Sequence, residues 1–252
     1  MKQLLLISGF YFSCLYTQAQ QIFISTGKIE FEKQINLHRE LEQSWSSDDD
    51  DTWRNSFKKS IPKIQSTYYD LYFNQNKSIY KAGREVQNAQ KIPDWLSDNG
   101  TENIVYNDLE NKKTISEKHV FESVFLVNDS LRKIDWKITN DTRLIAGIEC
   151  RKAVAIVMDS VYVIAFYTDI ITVSGGPESF TGLPGMILGI AVPRINTTWF
   201  ATKIEVKPFD EKVFTEPKKG KKNTYAELLN QLKGISNNWR VSIYKTIWKT
   251  ML

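Results

Sequence analysis

The feature that most constrains the fold is a period of two in the apolar residues. Ile29, Phe31, Ile35 and Leu37 alternate with Lys28, Glu30, Glu32, Gln34 and Asn36, the pattern of a strand with one buried and one wet face. The stretch "STYYDLYFNQNKSIYKA" reads as a hairpin, with Tyr69, Leu71 and Phe73 on one face and Asn74 to Asn76 as its turn. "NIVYNDLENKKTISEKHVF" reverses around Glu110-Asn111, and "VFLVNDSLRKIDWKI" is expected to turn at Asn128 to Ser130. "RLIAGIECRKAVAIVMDSVYVIAFYTDI" is expected to turn at Asp159-Ser160, between two arms rich in β-formers. Strands at this spacing predict a mainly β chain: one curved antiparallel meander sheet or open barrel, with a few short helices, rather than a parallel α/β sheet.

Two segments break the alternation. "SSDDDDTWRNSFKKSIPK" forms an acidic insertion near residues 44–63, in which Asp51 or Thr52 caps a helix carrying Trp53 and Phe57 four residues apart. Its run Asp48 to Asp51 lacks the alternating ligands and the glycine of a calcium loop, so it reads as solvated, and no metal site is assigned. Near the end, Thr224 caps "YAELLNQLK", whose Leu228, Leu229 and Leu232 make one apolar stripe. This C-terminal helix is expected to cover an edge or face of the sheet.

The first residues bear on compartment. Met1-Lys2, the apolar run Leu4 to Tyr16 and the small residues Thr17 and Ala19 have the form of a secretory signal cleaved after Ala19. The run is too short to anchor in a bilayer, and the residues before Cys14 do not suit lipoprotein processing. Residues 20–252 are then one exported β-rich domain, expected in the periplasm, with outer-membrane association or the cell surface as alternatives. Cys150 would be its one cysteine, which excludes an intrachain disulfide and fits a small buried hydrophobe. Charge is uneven: eleven Lys/Arg against five Asp/Glu from Ala201 onward, hence +6. "EPKKGKK" lacks the aromatics of a nucleic-acid surface; a peripheral membrane or acidic partner stays open.

The segment "SGGPESFTGLPGMILGIAV", residues 174–192, is both apolar and rich in glycine and proline. It lacks the lysine of a phosphate-binding loop, the G-x-S-x-G of a nucleophile elbow and the G-x-G-x-x-G of a dinucleotide site. A fold device suits it better. Leu183-Pro184-Gly185-Met186 reads as a type II turn, Gly175-Gly176-Pro177 as an earlier bend, and "MILGIAV" as a strand covered on both faces, with a bulge at Gly189.

These residues carry a resemblance. "GLPGMILGI" resembles the signature of the GLPGLI family of exported Bacteroidetes proteins, through Gly182, Leu183, Pro184, Gly185, Met186 and Ile187. "GIECRKA", with Cys150 and Lys152, and "FYTDIITVSGGPESFTGLPG", with Gly176, Pro177 and Phe180, extend it. Phe166, Ile171-Thr172 and Asp159-Ser160 depart from the common pattern. The resemblance implies a β-rich envelope protein of largely unassigned function, often described beside outer-membrane receptors of the TonB-dependent type. It also implies likeness to the bowl-like N-terminal domain of one type of bacterial peptide N-glycosidase. It transfers no catalytic residue and no cofactor.

Two functional classes follow. The first is a non-catalytic envelope protein that binds a receptor, or carries a peptide, lipid or small ligand on an aromatic sheet face. Tyr69, Phe73, Trp136, Phe166, Tyr167 and Trp199 are candidate lining residues, with Tyr162 beside them, though each also suits a core position. The second is a hydrolase, for which the chain offers only His38 and His119, on separate expected strands, with Glu117 and Glu122 near the latter. Paired carboxylates such as Glu30 and Glu32 also share a strand face, as solvated faces routinely do. The non-catalytic class is the expected one. "DSL" and "DSV" further resemble an O-glycosylation pattern at Ser130 and Ser160.

Overall fold

A computed structural model describes residues 23–45, 50–87, 90–93, 96–97, 100–120, 122–158, 160–236 and 243–252. The expected signal segment with Cys14, together with Asp48, Asp49 and Asp159, lies outside the described residues. Among the described residues twelve strands form one sheet: β1 (Gly27–Asn36), β2 (Ile64–Phe73), β3 (Lys77–Ala82), β4 (Ile104–Asp108), β5 (Lys113–Val120), β6 (Ser123–Ser130), β7 (Lys137–Ile145), β8 (Ile148–Val157), β9 (Val161–Thr168), β10 (Met186–Val192), β11 (Thr197–Glu205) and β12 (Lys221–Asn223). Among the described residues four α-helices accompany them: α1 (Leu37–Ser44), α2 (Asp51–Ser60), α3 (Tyr225–Ser236) and α4 (Ile243–Met251). Among the described residues no helix is long and apolar enough to cross a membrane.

The strand order is β12-β6-β5-β4-β3-β2-β1-β11-β10-β9-β8-β7. Two meanders, β1 to β6 and β7 to β11, therefore join through the antiparallel β1–β11 pair; only β12 runs parallel to its neighbour β6. This topology forces curvature. In a flat sheet β6 and β7 would lie about 48 Å apart, yet residues 131–136 alone connect them, and that linker spans at most about 25 Å. The sheet must curl until its ends approach, but it stays open.

The inner face of the curl holds the largest core cluster, from Ile29 and Phe31 on β1 to Val163 and Tyr167 on β9. The chain between β9 and β10 plugs it with Ile171, Val173, Phe180 and Leu183, all buried. A second cluster seats α3 and α4 on the inner face of β5 and β6, where Leu228, Leu232, Ile247 and Met251 meet Val120, Phe125 and Val127. Thr224 and Glu227 form a reciprocal cap on α3.

Several boundaries differ from the sequence expectation. Strand β1 ends at Asn36, whose side chain accepts from the Arg39 N–H and starts α1, so Leu37 and His38 are helical rather than strand residues. Helix α2 is capped by Asp50, which accepts from Thr52 and Trp53 N–H, not by Asp51 or Thr52. Asn128 to Ser130 do not turn: β6 runs through them, and the reversal lies between Val120 and Ser123. The expected long arm around residue 147 is instead a hairpin, with Ala146 and Gly147 at positive φ between β7 and β8. Helix α4 was not foreseen.

The glycine-rich segment feeds β10, which is buried on both faces and carries a register shift at Gly189 between β9 and β11. Its reversal is not type II. The Gly185 N–H donates to the Leu183 carbonyl at 2.8 Å, a three-residue turn about Pro184, while the Met186 N–H reaches the Ile171 carbonyl.

Candidate functional site

The candidate site lies where the curled sheet stays open. Residues 131–136 cross that gap, and two adjoining cavities flank them, sharing Arg132, Lys133 and Tyr225. The outer cleft, about 1150 Å³, lies between α3, α4 and the β8–β9 hairpin. Five basic side chains line it, Arg132, Lys133, Arg194, Lys233 and Lys245, against one carboxylate, Asp135. Glu40 stands close by, 3.8 Å from Lys245 and 3.2 Å from Lys249. Apolar walls come from Ile156, Leu229, Ile247 and Trp248, and the Arg194 guanidinium stacks 4.7 Å above the Trp248 ring. Burial lowers the Lys245 pKa, and Glu40 opposes that shift.

The inner chamber, about 460 Å³, lies beneath α3 and the end of α4, on the inner face of β4, β5 and β6. Alternation on β5 aims Thr114, Ser116 and Lys118 into it. Lys118 is 5% exposed, and burial pushes its ammonium pKa down, with Glu178 acting in opposition. Glu178 reaches in from the glycine-rich segment and stands between two lysines, 3.8 Å from Lys118 Nζ and 3.8 Å from Lys33 Nζ. Its backbone has a positive φ of 53°. The neighbouring Gly176 permits this path, since a Cβ there would lie 2.9 Å from Ile187 Cβ. Lys33 projects among apolar neighbours of the same β1 face, with the Trp199 ring 5.3 Å away. Arg132 donates to the Met251 carbonyl and lies 4.8 Å from the Tyr225 ring.

The aromatic residues expected as candidate ligand-face positions lie away from these two cavities. Tyr69, Phe73, Tyr167 and Trp199 are buried in the core, and none of the six candidates borders either cavity. Trp136 pins the motif loop, donating from Nε1 to the Thr181 carbonyl at 2.9 Å. Phe166 packs against Phe200, and Tyr162, on β9, is exposed. The expected helix does border a cleft, but opposite basic residues. Sequence reasoning passed over Lys33, Lys118, Arg132, Glu178 and Arg194. The legible signal was phase: Lys33 falls on the apolar face of β1, between Phe31 and Ile35.

The other candidates are dispersed. His119 contacts Glu117 at 3.0 Å and Glu102 at 3.3 Å, so Glu102 takes the place expected of Glu122. Neither His38, His119 nor Cys150 borders either of these two cavities, and no metal-holding group of three acidic, His or Cys side chains occurs among the described residues. Glu30 is engaged by Arg84 and Thr202. Lys152 pairs with Asp141 across β7 and β8 at 2.8 Å. Ser130 ends β6 at the chamber rim, and Ser160 borders the outer cleft. Cys150 is buried, and desolvation, with a smaller push from Glu149, raises its thiol to about 12. The thiolate is the reactive form. In the chain beginning at Gln20, Ellman's reagent should therefore label no thiol in the native protein and one after unfolding.

Comparison with known proteins agrees with the motif. A family model described as "Protein of unknown function (Porph_ging)" matches residues 156–189. No curated protein matches the sequence. Two solved structures of PNGF-II, in C2 and P21 crystal forms, are similar to this chain at TM-scores of 0.51 and 0.52, each with 16% identity over 90% of it. The chain spans about a third of the PNGF-II length, 33% and 34%. At that identity the likeness concerns the fold alone. An uncharacterized conserved protein from Thermus thermophilus aligns at a TM-score of 0.39 with 6% identity, over 81% of this chain and 94% of that one.

Proposed function

We propose that this chain, a GLPGLI-type protein by its matched residues 156–189, is a non-catalytic binding protein of the cell envelope that holds an anionic, partly apolar ligand in the outer cleft. The observation that carries this reading is the lining: five cations to one carboxylate, set beside Trp248, Leu229 and Ile247. Apolar walls supply contact area, and convergent charges select the sign of the ligand. The exported location and action beside an outer-membrane receptor draw their support from the amino-terminal segment and the family resemblance.

Dodecanoate, kept below its micellar range, is the probe. Titration followed by calorimetry and by tryptophan emission should show saturable binding to the wild type, with the emission change lost in Trp248→Phe. The double variant Arg194→Gln/Lys245→Gln should bind about tenfold more weakly or worse. Dodecyltrimethylammonium, of equal chain length and opposite charge, should not compete. Equal uptake of the two amphiphiles, or uptake of neither, would overturn the assignment.

A further inference from the structure

The inner chamber has a feature that the outer cleft does not explain. Side chains are rarely buried with charge unless a counter-ion and hydrogen bonds compensate them. Here Lys33 and Lys118 converge on a single carboxylate, Glu178, from which both ammonium groups stand 3.8 Å away. That separation is too long for a hydrogen bond. Among the described residues, Lys118 Nζ has no hydrogen-bond partner although it is buried, and the buried Arg132 Nη1 has none either. Both residues belong to the wall of the same chamber.

Other charges also face this space. Asp129 borders it, its Oδ1 accepting from the Ser130 N–H and its Oδ2 from the Tyr225 N–H. Glu117 sits one residue from Lys118, hence on the opposite face of β5, where it contacts His119. Lys133 adds a further positive charge at the rim. Beside the cations stand neutral groups suited to oxygen ligands: the Ser116 hydroxyl, and Asn107, whose amide already donates to Ser78 Oγ at 3.2 Å. Val127, Leu228 and Met251 close the remaining wall.

We infer that the inner chamber is a dedicated subsite for a small oxyanion, a carboxylate or a phosphate group, bound by Lys118 Nζ and Arg132 Nη1. The anion faces Lys118 and Arg132, two cations of the chamber wall. Each donor that is now without a partner gains a charge-assisted hydrogen bond. Because the chamber shares Arg132, Lys133 and Tyr225 with the outer cleft, an anion bound here adjoins the larger ligand proposed for that cleft. The inference deepens the binding reading and rests on it for the identity of that larger ligand. The subsite itself is tested by anions too small to fill the cleft.

Sodium phosphate and sodium acetate, each compared with sodium chloride at equal ionic strength, are the probes. Thermal unfolding and calorimetry of the chain beginning at Gln20 provide the readouts. The wild type should be stabilised saturably by at least one of the two oxyanions, and the preferred one tells phosphate from carboxylate chemistry. Lys118→Met should lower that affinity about tenfold or more, while Lys245→Gln, in the outer cleft alone, should keep it. Ser116→Val, which removes no charge, serves as a second chamber variant and should weaken binding by a smaller factor, about threefold to tenfold. If neither oxyanion exceeds chloride, or if Lys118→Met responds as the wild type does, the subsite is refuted. Dodecanoate binding without any phosphate or acetate response would spare the outer-cleft reading and remove this one. Anion binding without dodecanoate binding would do the reverse.

Discussion

Replacing Gly185 by alanine should cost about 4 kcal/mol of stability, near the upper end for a single substitution. A Cβ at this position would stand 2.1 Å from the Thr168 carbonyl oxygen and 2.8 Å from its carbon. The obstacle is backbone of β9, which is itself paired to β8 and β10 and cannot swing aside as a side-chain tip could. The φ of +135° adds strain that any L-residue would bear. For a chain of this length, such a loss lowers the melting temperature by about 8–16 °C. Gly182, three residues earlier, provides the control. Its φ is also positive, at +93°, but the first atom a Cβ would meet is Trp136 Nε1 at 3.7 Å, an ordinary contact. Gly182→Ala should therefore cost only the conformational term, about 1 kcal/mol. Urea or thermal unfolding of both variants measures the difference. Equal losses in the two would show that left-handed backbone, and not the approach to Thr168, fixes the glycine.

The contrast between these glycines marks how much a sequence of this kind discloses. Alternation located β1, β2, β5 and the hairpin at Asn74 to Asn76 because each of those strands buries one face and wets the other. The double-sided burial of β10 was legible from its unbroken apolar run. Turn chemistry misled where tertiary partners engaged it. Asn128 to Ser130 look like a reversal, yet Asp129 takes its hydrogen bonds from Ser130 and from Tyr225 at the start of α3, and β6 stays extended. The aromatic residues expected on a ligand face were identified by type, and type does not say which face of a sheet receives the covering loop. Tyr69 and Trp199 lie inside because Phe180 and its neighbours close over them. The outer cleft draws on Gln43, Arg132, Met158, Arg194, Tyr225 and Lys245, from six separate stretches of the chain. Their convergence depends on the curl of the whole sheet, and no local pattern encodes it. Lysines in phase with buried positions were the one local sign, and they point to the chamber.

Glu178→Gln should be the second severe substitution, and its effect should depend on pH in a definite direction. The wild-type carboxylate faces two buried ammonium groups. Removing its charge takes from the buried Lys118 the carboxylate that opposes its desolvation, a change worth about 3–5 kcal/mol at neutral pH. Lys118→Met has the opposite logic. It leaves one lysine against one carboxylate and replaces a desolvated cation by an apolar side chain of similar length, so its cost should stay below about 1 kcal/mol. The pH dependence follows from Lys118. Its native pKa already lies below the ordinary 10.5 because burial disfavours the ammonium, and Glu178 partly opposes that shift. Without the carboxylate the native value falls further, while the unfolded chain keeps the ordinary one. Between those two values the unfolded state binds more protons than the native state, so stability rises with pH across that window. Below the native pKa the penalty for burying the charge is felt in full; above 10.5 both states are neutral at this residue and the penalty is gone. The Gln variant should thus recover stability on going from neutral pH toward about pH 10, at up to about 1.4 kcal/mol per pH unit for one proton. Denaturant midpoints measured across that range, for the single variant and for Glu178→Gln/Lys118→Met, separate the contributions. The double variant should lose most of the slope, because the titrating ammonium is absent. A slope that survives there would place the uncompensated charge on another residue and refute the role assigned to Lys118.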